Sequence, residues 1–350
     1  MKHYPKLIIQ ASNVHQGGGR SLLEALLKAV DRETTLLVDE RMLMPDELAK
    51  SIQIKLVKPS VVQRLLAEKW LVDTVEKEDV VLCFGNLPPL FKLRGHTMVF
   101  LQNRYLIEDI PLNGFPLKIR LRLEVERLWL SKRLMNVDEF VVQTPTMKRL
   151  LESKVQGKVP VRVLPFVAEP CGYERNQPLK EHKDTDYDFV YVASGEPHKN
   201  HQRLLEAWSL LASEGLFPSL CLTLDKARFE GLCSLIVDMR QRYGMKVSNV
   251  GVLPHHDVLE LCGKSGAVIY PSKFESFGLP LIEARQAGLS VLASELDFVR
   301  DVLDPEQSFD PDSPLSIARA VKRFMGVDEQ PLPLLDAAQF VASVFKRDSQ

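Results

Sequence analysis

Residues 271–284 read PSKFESFGLPLIEA and directly follow the apolar run AVIY at 267–270. This order predicts a buried strand, a tight loop and a helix that starts at Pro280, because proline is favoured at the first helical position. Glu275 then lies in the loop and Glu283 in the first turn of the helix. Open α/β sheets bind ligands at the carboxyl ends of their strands, so we expect both carboxylates to face one pocket.

Apolar runs of strand length alternate with helix-like stretches on both sides of this motif. Predicted strands lie near residues 7–12, 35–39, 54–57, 79–84, 97–102, 139–143, 161–166, 188–193, 220–224, 247–252, 266–271 and 290–294. Predicted helices include 21–30, 60–75, 199–213, 229–243, 255–263, 279–287 and 313–325. Such alternation indicates parallel sheets, and strands that are apolar throughout are typical of sheets covered by helices on both faces.

The length of 350 residues suggests two domains. The predicted fold class is therefore α/β, with two doubly wound domains that face a cleft. A polar stretch containing proline and glycine marks the boundary, which gives a first domain at 1–167, a linker at 168–187 and a second domain at 188–330. A last helix within 331–350 is predicted to pack back on the first domain.

The composition is that of an ordinary globular protein, with 45% apolar and 26% charged residues. No apolar run approaches the roughly 20 residues of a membrane-spanning helix, and no signal peptide is visible, so we expect a cytoplasmic protein. The five cysteines are scattered, which is typical of reduced thiols and not of a metal site. No metal site is predicted elsewhere, since Asp184, Asp186 and Asp188 precede a strand and read as a solvated run.

A small net charge of −1 hides an asymmetry between the two halves of the chain. Residues 1–165 contain 26 Lys and Arg against 19 Asp and Glu, a net charge of +7, and the remaining residues contain 19 against 27, a net charge of −8. A basic first half is consistent with an anionic partner, although ordinary surface variation explains the difference equally well. We expect no nucleic-acid partner.

The chemistry of the opening motif suits a nucleotide-sugar. Carboxylates such as Glu275 and Glu283 can accept hydrogen bonds from sugar hydroxyls, one from a hexose and the other from a ribose. Backbone N–H groups at Phe277, Gly278 and Leu279 would point at a phosphate, as those of helix N-termini do. The alternative for Glu283 is a carboxylate that is only stabilised by the helix dipole.

Two further loops join a strand to a helix. ASGEPHKN at 193–200 places Lys199 at a helix start, where a cation is unfavourable unless an anion such as a diphosphate lies there. A solvated surface lysine is the alternative. HQGGGRS at 15–21 follows the first strand, and Gly18 and Gly19 would either let an anion approach the backbone closely or form only a flexible turn.

The opening motif closely resembles the donor-binding motif of retaining GT-B glycosyltransferases, specifically glycosyltransferase family 4, the group 1 glycosyl transferases. The family pattern stands here as Pro271-Ser272, Glu275, Phe277-Gly278-Leu279-Pro280, Glu283-Ala284, Gly288 and Val291-Leu292-Ala293-Ser294. A weaker resemblance covers most of the chain. It implies two Rossmann-like domains and an activity in bacterial surface-polysaccharide synthesis, such as that of lipopolysaccharide.

This resemblance also implies roles for residues. Glu275 would contact the transferred sugar, Glu283 the ribose, and Lys199 the diphosphate, so that Glu275 and Lys199 are the predicted catalytic residues. The predicted donor ligands are Gly18, Gly19, Ser194, Lys199, Phe277, Gly278, Leu279 and Glu283. The family commonly has an arginine where Ser194-Gly195 stands here, which leaves half of the usual cationic clamp unmatched.

Acceptor-side candidates lie in the first domain, at His15, Asn86, Asn103 and Arg104. Asn103 takes a place where the family often has a histidine, and its amide can bind a hydroxyl but cannot act as a base. The alternative is that these strand-end amides are turn or cap residues.

The segment 115–135 combines leucines with basic residues. A basic amphipathic helix can lie on anionic lipids, which leaves a peripheral contact with the inner membrane open. Glu124 and Glu126 dilute its charge and favour a helix that is partly buried in the first domain.

The sequence thus predicts a retaining, metal-independent hexosyltransferase without a cofactor. Its donor substrate would be a nucleotide diphosphate-sugar, and its acceptor a glycan or a polyprenyl-diphosphate-linked glycan. Two alternatives are a nucleotide-sugar epimerase of similar two-domain fold and a non-catalytic nucleotide-sugar-binding subunit.

Overall fold

The computed structural model describes residues 5–44, 48, 50–112, 115–167 and 185–327. Residues 168–184 of the predicted linker at 168–187 and the predicted last helix within 331–350 lie outside the described residues, as does Cys171. The other four cysteines, Cys83, Cys221, Cys233 and Cys262, are buried free thiols. None of the helices in the described ranges is long and apolar enough to cross a membrane.

The first domain is built on a parallel sheet of seven described strands. These are β1 (Leu7–Ala11), β2 (Thr34–Asp39), β3 (Ile52–Val57), β4 (Val80–Cys83), β5 (His96–Phe100), β6 (Glu139–Val142) and β7 (Val161–Val163), in the spatial order β3-β2-β1-β4-β5-β6-β7. The connecting helices are α1 (Gly17–Ala29), α2 (Val61–Thr74), α3 (Leu117–Lys132) and α4 (Pro145–Val155).

These helices lie on both faces of the sheet, because connections between parallel strands are right-handed. The chain steps one way from β1 to β3 and the other way from β3 to β7, so right-handed crossovers put α1 on one face and α2, α3 and α4 on the other. Two separate buried clusters agree with this division: one includes Leu23 of α1, and the other includes Leu71 of α2 and Leu130 of α3.

The second domain is built on a parallel sheet of six described strands. They are β8 (Tyr187–Tyr191), β9 (Leu220–Leu222), β10 (Val247–Asn249), β11 (Ser265–Tyr270), β12 (Ser290–Ser294) and β13 (Gln307–Phe309), in the order β10-β9-β8-β11-β12-β13. Its helices are α5 (His201–Ser213), α6 (Glu230–Tyr243), α7 (His255–Gly263), α8 (Leu279–Gln286), α9 (Asp297–Arg300) and α10 (Pro314–Phe324).

These two doubly wound domains confirm the predicted α/β fold, and every predicted strand is present. Short β13 and α9 were not predicted, and neither was α4, although Thr144 caps its first turn and Pro145 follows. Two predicted helix starts are wrong. Helix α1 begins at Gly17 instead of residue 21, and α5 begins at His201, after a separate 3₁₀ turn over Pro197–Lys199.

The carboxyl ends of the two sheets face each other across a cleft. In each sheet, the chain leaves two neighbouring strands in opposite directions, at β1 and β4 in the first and at β8 and β11 in the second. Such switch points open a crevice between the loops that follow the two strands. Contacts such as that of the Thr146 N–H with the Asp301 carboxylate, at 2.9 Å, hold the two domains together.

Candidate active site

Two loops meet at the switch point of the second sheet. The loop after β8 carries residues 192–200, and the loop after β11 carries residues 271–278. The backbone N–H of Lys273 donates to the carbonyl of His198 at 2.8 Å, so the two loops are joined directly. Strand pairing and this hydrogen bond therefore bring Lys199 beside Glu275, 76 residues further along the chain.

Glu275 is the centre of the resulting network. One of its carboxylate oxygens, Oε1, accepts hydrogen bonds from Lys199 Nζ at 2.5 Å, Ser272 Oγ at 2.7 Å and the Tyr270 hydroxyl at 3.0 Å. The side chains of Glu275 and Lys199 are only 14% and 15% exposed. Three donors on one oxygen fix the carboxylate in place, and Oε2 makes no hydrogen bond with the described residues.

Lys199 is the positively charged residue of the 3₁₀ turn over Pro197–Lys199. The sequence predicts that an anion compensates its charge at a helix start, and in this structure the Glu275 carboxylate is that anion. Burial lowers the pKa of His201 to about 3 and also lowers the pKa of His198 below its usual value. Both imidazoles are therefore neutral near neutral pH, which leaves Lys199 as the positive group between them.

The loop after β11 ends in a sharp turn. Gly278 has a φ of 76°, a left-handed conformation that glycine adopts without the steric cost of a Cβ, and it caps α8. Leu279 and Pro280 are then the first two residues of the helix. The N–H groups of Phe277, Gly278 and Leu279 donate to no residue that the structure describes, so they are available at a helix N-terminus.

The position of Glu283 corrects the sequence prediction. Because α8 begins at Leu279, Glu283 lies in the second turn and not in the first. Burial raises the pKa of its carboxyl above the usual value, and His255 partly offsets this rise. Glu283 lines a small cavity with Cys262, Pro280 and Tyr270. Since Tyr270 also donates to Glu275, both carboxylates lie near this tyrosine.

Ser194 does not reach Lys199 but belongs to a second polar group. Its hydroxyl donates to one oxygen of Glu196, and Arg228, from the loop after β9, donates to the other oxygen at 2.9 Å. Gly195 is required here, because a Cβ at this position would lie 2.5 Å from the ring of Phe229. The loop therefore carries no arginine of its own, but an arginine lies against it.

Across the cleft, the glycines of the first loop form the start of a helix instead of a loop. Gly17, Gly18 and Gly19 are the first turn of α1, which has no side-chain cap at Gln16. A Cβ on Gly18 would lie 3.1 Å from the Leu279 side chain, so the N-terminus of α1 faces the start of α8. His15 is half-buried beside this turn, with its Nδ1 3.5 Å from Arg41 Nη2.

The two asparagines predicted on the acceptor side, Asn86 and Asn103, instead bind backbone groups of their own domain. Asn86 has a φ of 72°, and its side-chain oxygen accepts from the N–H groups of Gln102, at 2.6 Å, and Asn103, at 2.9 Å. The Asn103 side chain in turn caps a short 3₁₀ turn by accepting from the Tyr105 N–H at 3.1 Å. These contacts favour the turn-and-cap alternative for both oxygens, and their role toward an acceptor stays a prediction.

Arg104 joins the two domains. It is 9% exposed and pairs within its own domain with Glu108 at 2.5 Å. Its guanidinium also donates to the backbone carbonyl of Glu275 at 3.3 Å and lies 3.7 Å from the Asp297 carboxylate. Next to it, the rings of Tyr105 and Phe274 are 4.4 Å apart. The geometry is that of an interdomain clasp on the donor motif, and not of a side chain directed at an acceptor.

Sequence reasoning missed three residues of this site. Tyr270 directly precedes the motif and Ser272 lies within it, but only the three-dimensional turn shows that their hydroxyls meet on Glu275. Arg228 lies 32 residues from Glu196 and carries no local signal. Within the described residues, no group of three or more His, Cys, Asp or Glu side chains is arranged to hold a metal ion.

The site therefore offers polar groups for the phosphate part and for the sugar part of an anionic sugar derivative. The N–H groups at the starts of α1 and α8, which donate to no residue that the structure describes, and the ammonium of Lys199 suit a diphosphate. The fixed carboxylate of Glu275 suits sugar hydroxyls, and the half-buried Glu283 suits a further hydroxyl.

Comparisons with known proteins show similarity to glycosyltransferases. Residues 173–334 match the family model of the glycosyl transferases group 1. A serotype-specific mannosyltransferase of Escherichia coli, WbdA, is 29% identical over 144 residues, which are 41% of this chain and 18% of that protein. The chain thus spans about a fifth of the length of this relative.

Solved structures show the same fold over both domains. Anabaena HepE in complex with UDP and glucose superposes with a TM-score of 0.62 at 13% identity, covering 92% of this chain and 90% of that one. The lipopolysaccharide outer core galactosyltransferase WaaB superposes with a TM-score of 0.60 at 16% identity, covering 93% and 92%. This chain therefore has the GT-B fold, and residues 173–334, which include its second domain, are similar to the glycosyl transferases group 1.

Proposed function

We propose that this protein is a retaining glycosyltransferase that moves a hexose from a nucleotide diphosphate-sugar to a glycan or polyprenyl-diphosphate-linked glycan. The observation that carries the proposal is the contact of Lys199 with Glu275, both largely shielded from solvent, at a sheet switch point beside two helix N-termini. The mannosyltransferase relative and the UDP- and glucose-bound HepE structure support the same reaction class.

In this proposal the second domain holds the donor. The diphosphate would take the place of Glu275 as the partner of Lys199 and would accept from the free N–H groups at the start of α8. Glu275, once released, would accept from hydroxyls of the transferred sugar, and Glu283 from the ribose. Arg228 is the proposed replacement for the arginine that the loop at Ser194 lacks, since it already reaches that loop.

Transfer would take place between the domains. The acceptor hydroxyl would approach the anomeric carbon on the face from which the diphosphate departs, which retains the configuration. Lys199 and the N-terminus of α1 at Gly18 would stabilise the charge that develops on the leaving group. No metal ion is needed for this step, because these groups supply the positive charge. Closure of the cleft would exclude water.

The acceptor and the place of reaction are part of the same proposal. A lipid-linked acceptor would bring the protein to the cytoplasmic face of the inner membrane as a peripheral protein, where surface polysaccharide is assembled. The basic first domain is compatible with an anionic lipid diphosphate.

A panel of GDP- and UDP-sugars tests the proposal. Release of nucleoside diphosphate is measured for each donor with and without a polyprenyl-diphosphate-linked glycan, and the product is analysed for anomeric configuration. We expect release with one donor that depends on the acceptor, continues in EDTA and yields a retained linkage. Binding of none of the nucleotides would contradict the proposal, and conversion of the donor sugar without an acceptor would indicate an epimerase.

A further inference from the structure

Two helices of the first domain turn apolar side chains outward. Eight of these side chains are between 48% and 76% exposed: Val61, Val62, Leu65 and Leu66 of α2, and Leu117, Leu121, Val125 and Leu128 of α3. Helix α3 buries only Leu123 and Leu130. Surface helices normally present polar residues on the side away from the core, so these outward faces are unusual for a protein in water.

The two faces form one surface. Helices α2 and α3 cover the same face of the sheet, and the loop after β4 lies between them. That loop is held by Glu68 of α2, which accepts from the Leu90 N–H at 2.8 Å, and by Trp129 of α3, which donates to the Pro88 carbonyl at 2.9 Å. Phe91, from the same loop, is 49% exposed and extends the apolar area of α2. We call this continuous area the α2–α3 surface.

Basic side chains border the apolar residues. Helix α3 carries five basic residues and two acidic ones, which gives a net charge of +3. At 100° per residue, Lys118 and Lys132 lie next to the stripe of Leu121 and Val125, and Lys69 borders the exposed residues of α2. None of these three exposed lysines forms an ion pair with a residue that the structure describes.

Open hollows indent the surface on both helices. One, of about 500 Å³, is lined by Val62, Leu65, Leu66, Lys69 and Phe91, among others. The second, of about 320 Å³, lies at the start of α3 and is lined by residues that include Leu117, Leu121 and Arg120. Each hollow is lined by apolar side chains together with one basic and one acidic side chain, Lys69 with Asp73 in the first and Arg120 with Glu124 in the second. The apolar parts suit an acyl chain, and the basic side chains suit an anionic headgroup.

We propose that the α2–α3 surface docks on a bilayer leaflet that contains anionic lipids. Apolar side chains would enter the boundary of the acyl chains, while the three lysines would meet the headgroups. A second copy of this chain fits less well. A two-fold interface places the same patch on both subunits, and would bring two helices of net charge +3 together.

This surface adjoins the cleft. The ring of Phe115, just before α3, lies 5.2 Å from that of Tyr105, which contacts Phe274 of the donor motif. If the proposed function holds, a lipid-linked acceptor would therefore enter the active site directly from the leaflet. Membrane docking itself needs no donor and is tested apart from transfer.

Cosedimentation of the full chain with vesicles tests the inference. Vesicles of phosphatidylcholine alone are compared with vesicles of equal parts phosphatidylcholine and phosphatidylglycerol, without nucleotide. The apolar variant combines Leu66→Ser, Leu121→Ser and Val125→Ser, and the basic variant combines Lys69→Gln, Lys118→Gln and Lys132→Gln. A matched control replaces exposed apolar residues of the second domain, as Val237→Ser, Leu315→Ser and Met325→Ser. Circular dichroism verifies that each variant is folded.

We expect binding to the anionic vesicles that weakens in high salt. The basic variant should bind about a hundredfold more weakly, since each basic residue near an anionic surface contributes roughly fivefold. The apolar variant should lose at least about tenfold, and the control should bind as the wild type does. Equal binding by all four proteins would overturn the inference. So would a wild-type dimer that the apolar variant dissociates while neither binds vesicles, because the surface would then be a protein interface.

Discussion

Each domain holds a glutamate that is largely shielded from solvent, and the two carboxyl groups have different partners. Glu275 of the second domain accepts from a lysine and two hydroxyls at the mouth of the cleft. Glu68 of the first domain accepts from the Leu90 N–H and from Gln10, and no cation of the described residues pairs with it. Burial raises the pKa of Glu68 to about 7. Glu275 therefore lies with its cation at a site open to a ligand. Glu68 instead joins α2 to the loop that contains Leu90.

The loops that follow the strands at the cleft also differ between the two domains. After β8 and β11, charged side chains of two loops meet each other across the switch point. After β4 and β5, Asn86 and Asn103 instead bind their own backbone, and Arg104 reaches into the other domain. The charged groups of the candidate site are thus concentrated in the second domain, while the first domain contributes a helix N-terminus, a clasp and an exposed apolar surface.

Replacing Glu275 by glutamine gives the largest expected effect. Glu275→Gln keeps the size of the side chain but removes the charge that would position the sugar, so kcat should fall on the order of a hundred- to a thousandfold. The assay is steady-state release of nucleoside diphosphate in the presence of acceptor. Glu260→Gln, an exposed glutamate paired with Lys264, is the matched control and should retain full activity. Unchanged turnover in Glu275→Gln would reject the role of this residue.

Glu68 should make the stability of the first domain depend on pH. Its folded pKa of about 7 lies above the unfolded value, so the folded state binds the proton more tightly. The free energy of unfolding is then highest below the unfolded pKa and falls by about 3 kcal/mol at most as the pH rises through 7.

Urea unfolding near pH 5 and near pH 8 measures this dependence. Glu68→Gln stays neutral and can still accept from the Leu90 N–H, so this variant should lose most of the difference between the two conditions. The exposed Glu40→Gln should behave as the wild type does. An identical pH dependence in Glu68→Gln and wild type would show that Glu68 does not cause it.

The clasp of Arg104 should have a smaller effect on catalysis. Arg104→Gln removes the contacts with the Glu275 carbonyl and Asp297, and we expect kcat/KM to fall about tenfold because the site between the domains is less well positioned. Glu108→Gln breaks only the ion pair within the first domain and should cost less than threefold by the same argument. Equal losses in the two variants would assign Arg104 a role in its own domain only.

Much of the fold and the second-domain site could be predicted from the sequence. Strands such as β11 are buried on both faces and are therefore continuous apolar runs, and the motif after β11 has a fixed local geometry set by Gly278 and Pro280. Short elements such as β13 depend on pairing with a neighbouring strand and leave little local pattern. The start of α1 at Gly17 was missed because three glycines are poor helix formers, and tertiary packing overrides that preference.

Contacts between residues far apart in the chain could not be predicted from the sequence. Lys199 meets Glu275 because β8 and β11 pair in the sheet, and nothing in either loop alone specifies this. The interdomain position of Arg104 and the approach of Arg228 to Glu196 likewise depend on how loops from different strands pack. The exposure of Leu121 and Val125 could not be read from their apolar character, which favours burial.

Titration of nucleoside diphosphates into the wild type and two variants, Lys199→Met and Glu275→Gln, tests the central claim most directly. If Lys199 exchanges its Glu275 partner for a diphosphate, Lys199→Met should weaken binding of the preferred nucleotide about a hundredfold, as the loss of a charge-assisted contact implies. Glu275→Gln should bind that nucleotide at least as tightly as the wild type, since Lys199 is already released, although it no longer transfers sugar. Unchanged affinity in Lys199→Met, or a loss of affinity in Glu275→Gln as large as that in Lys199→Met, would contradict the account.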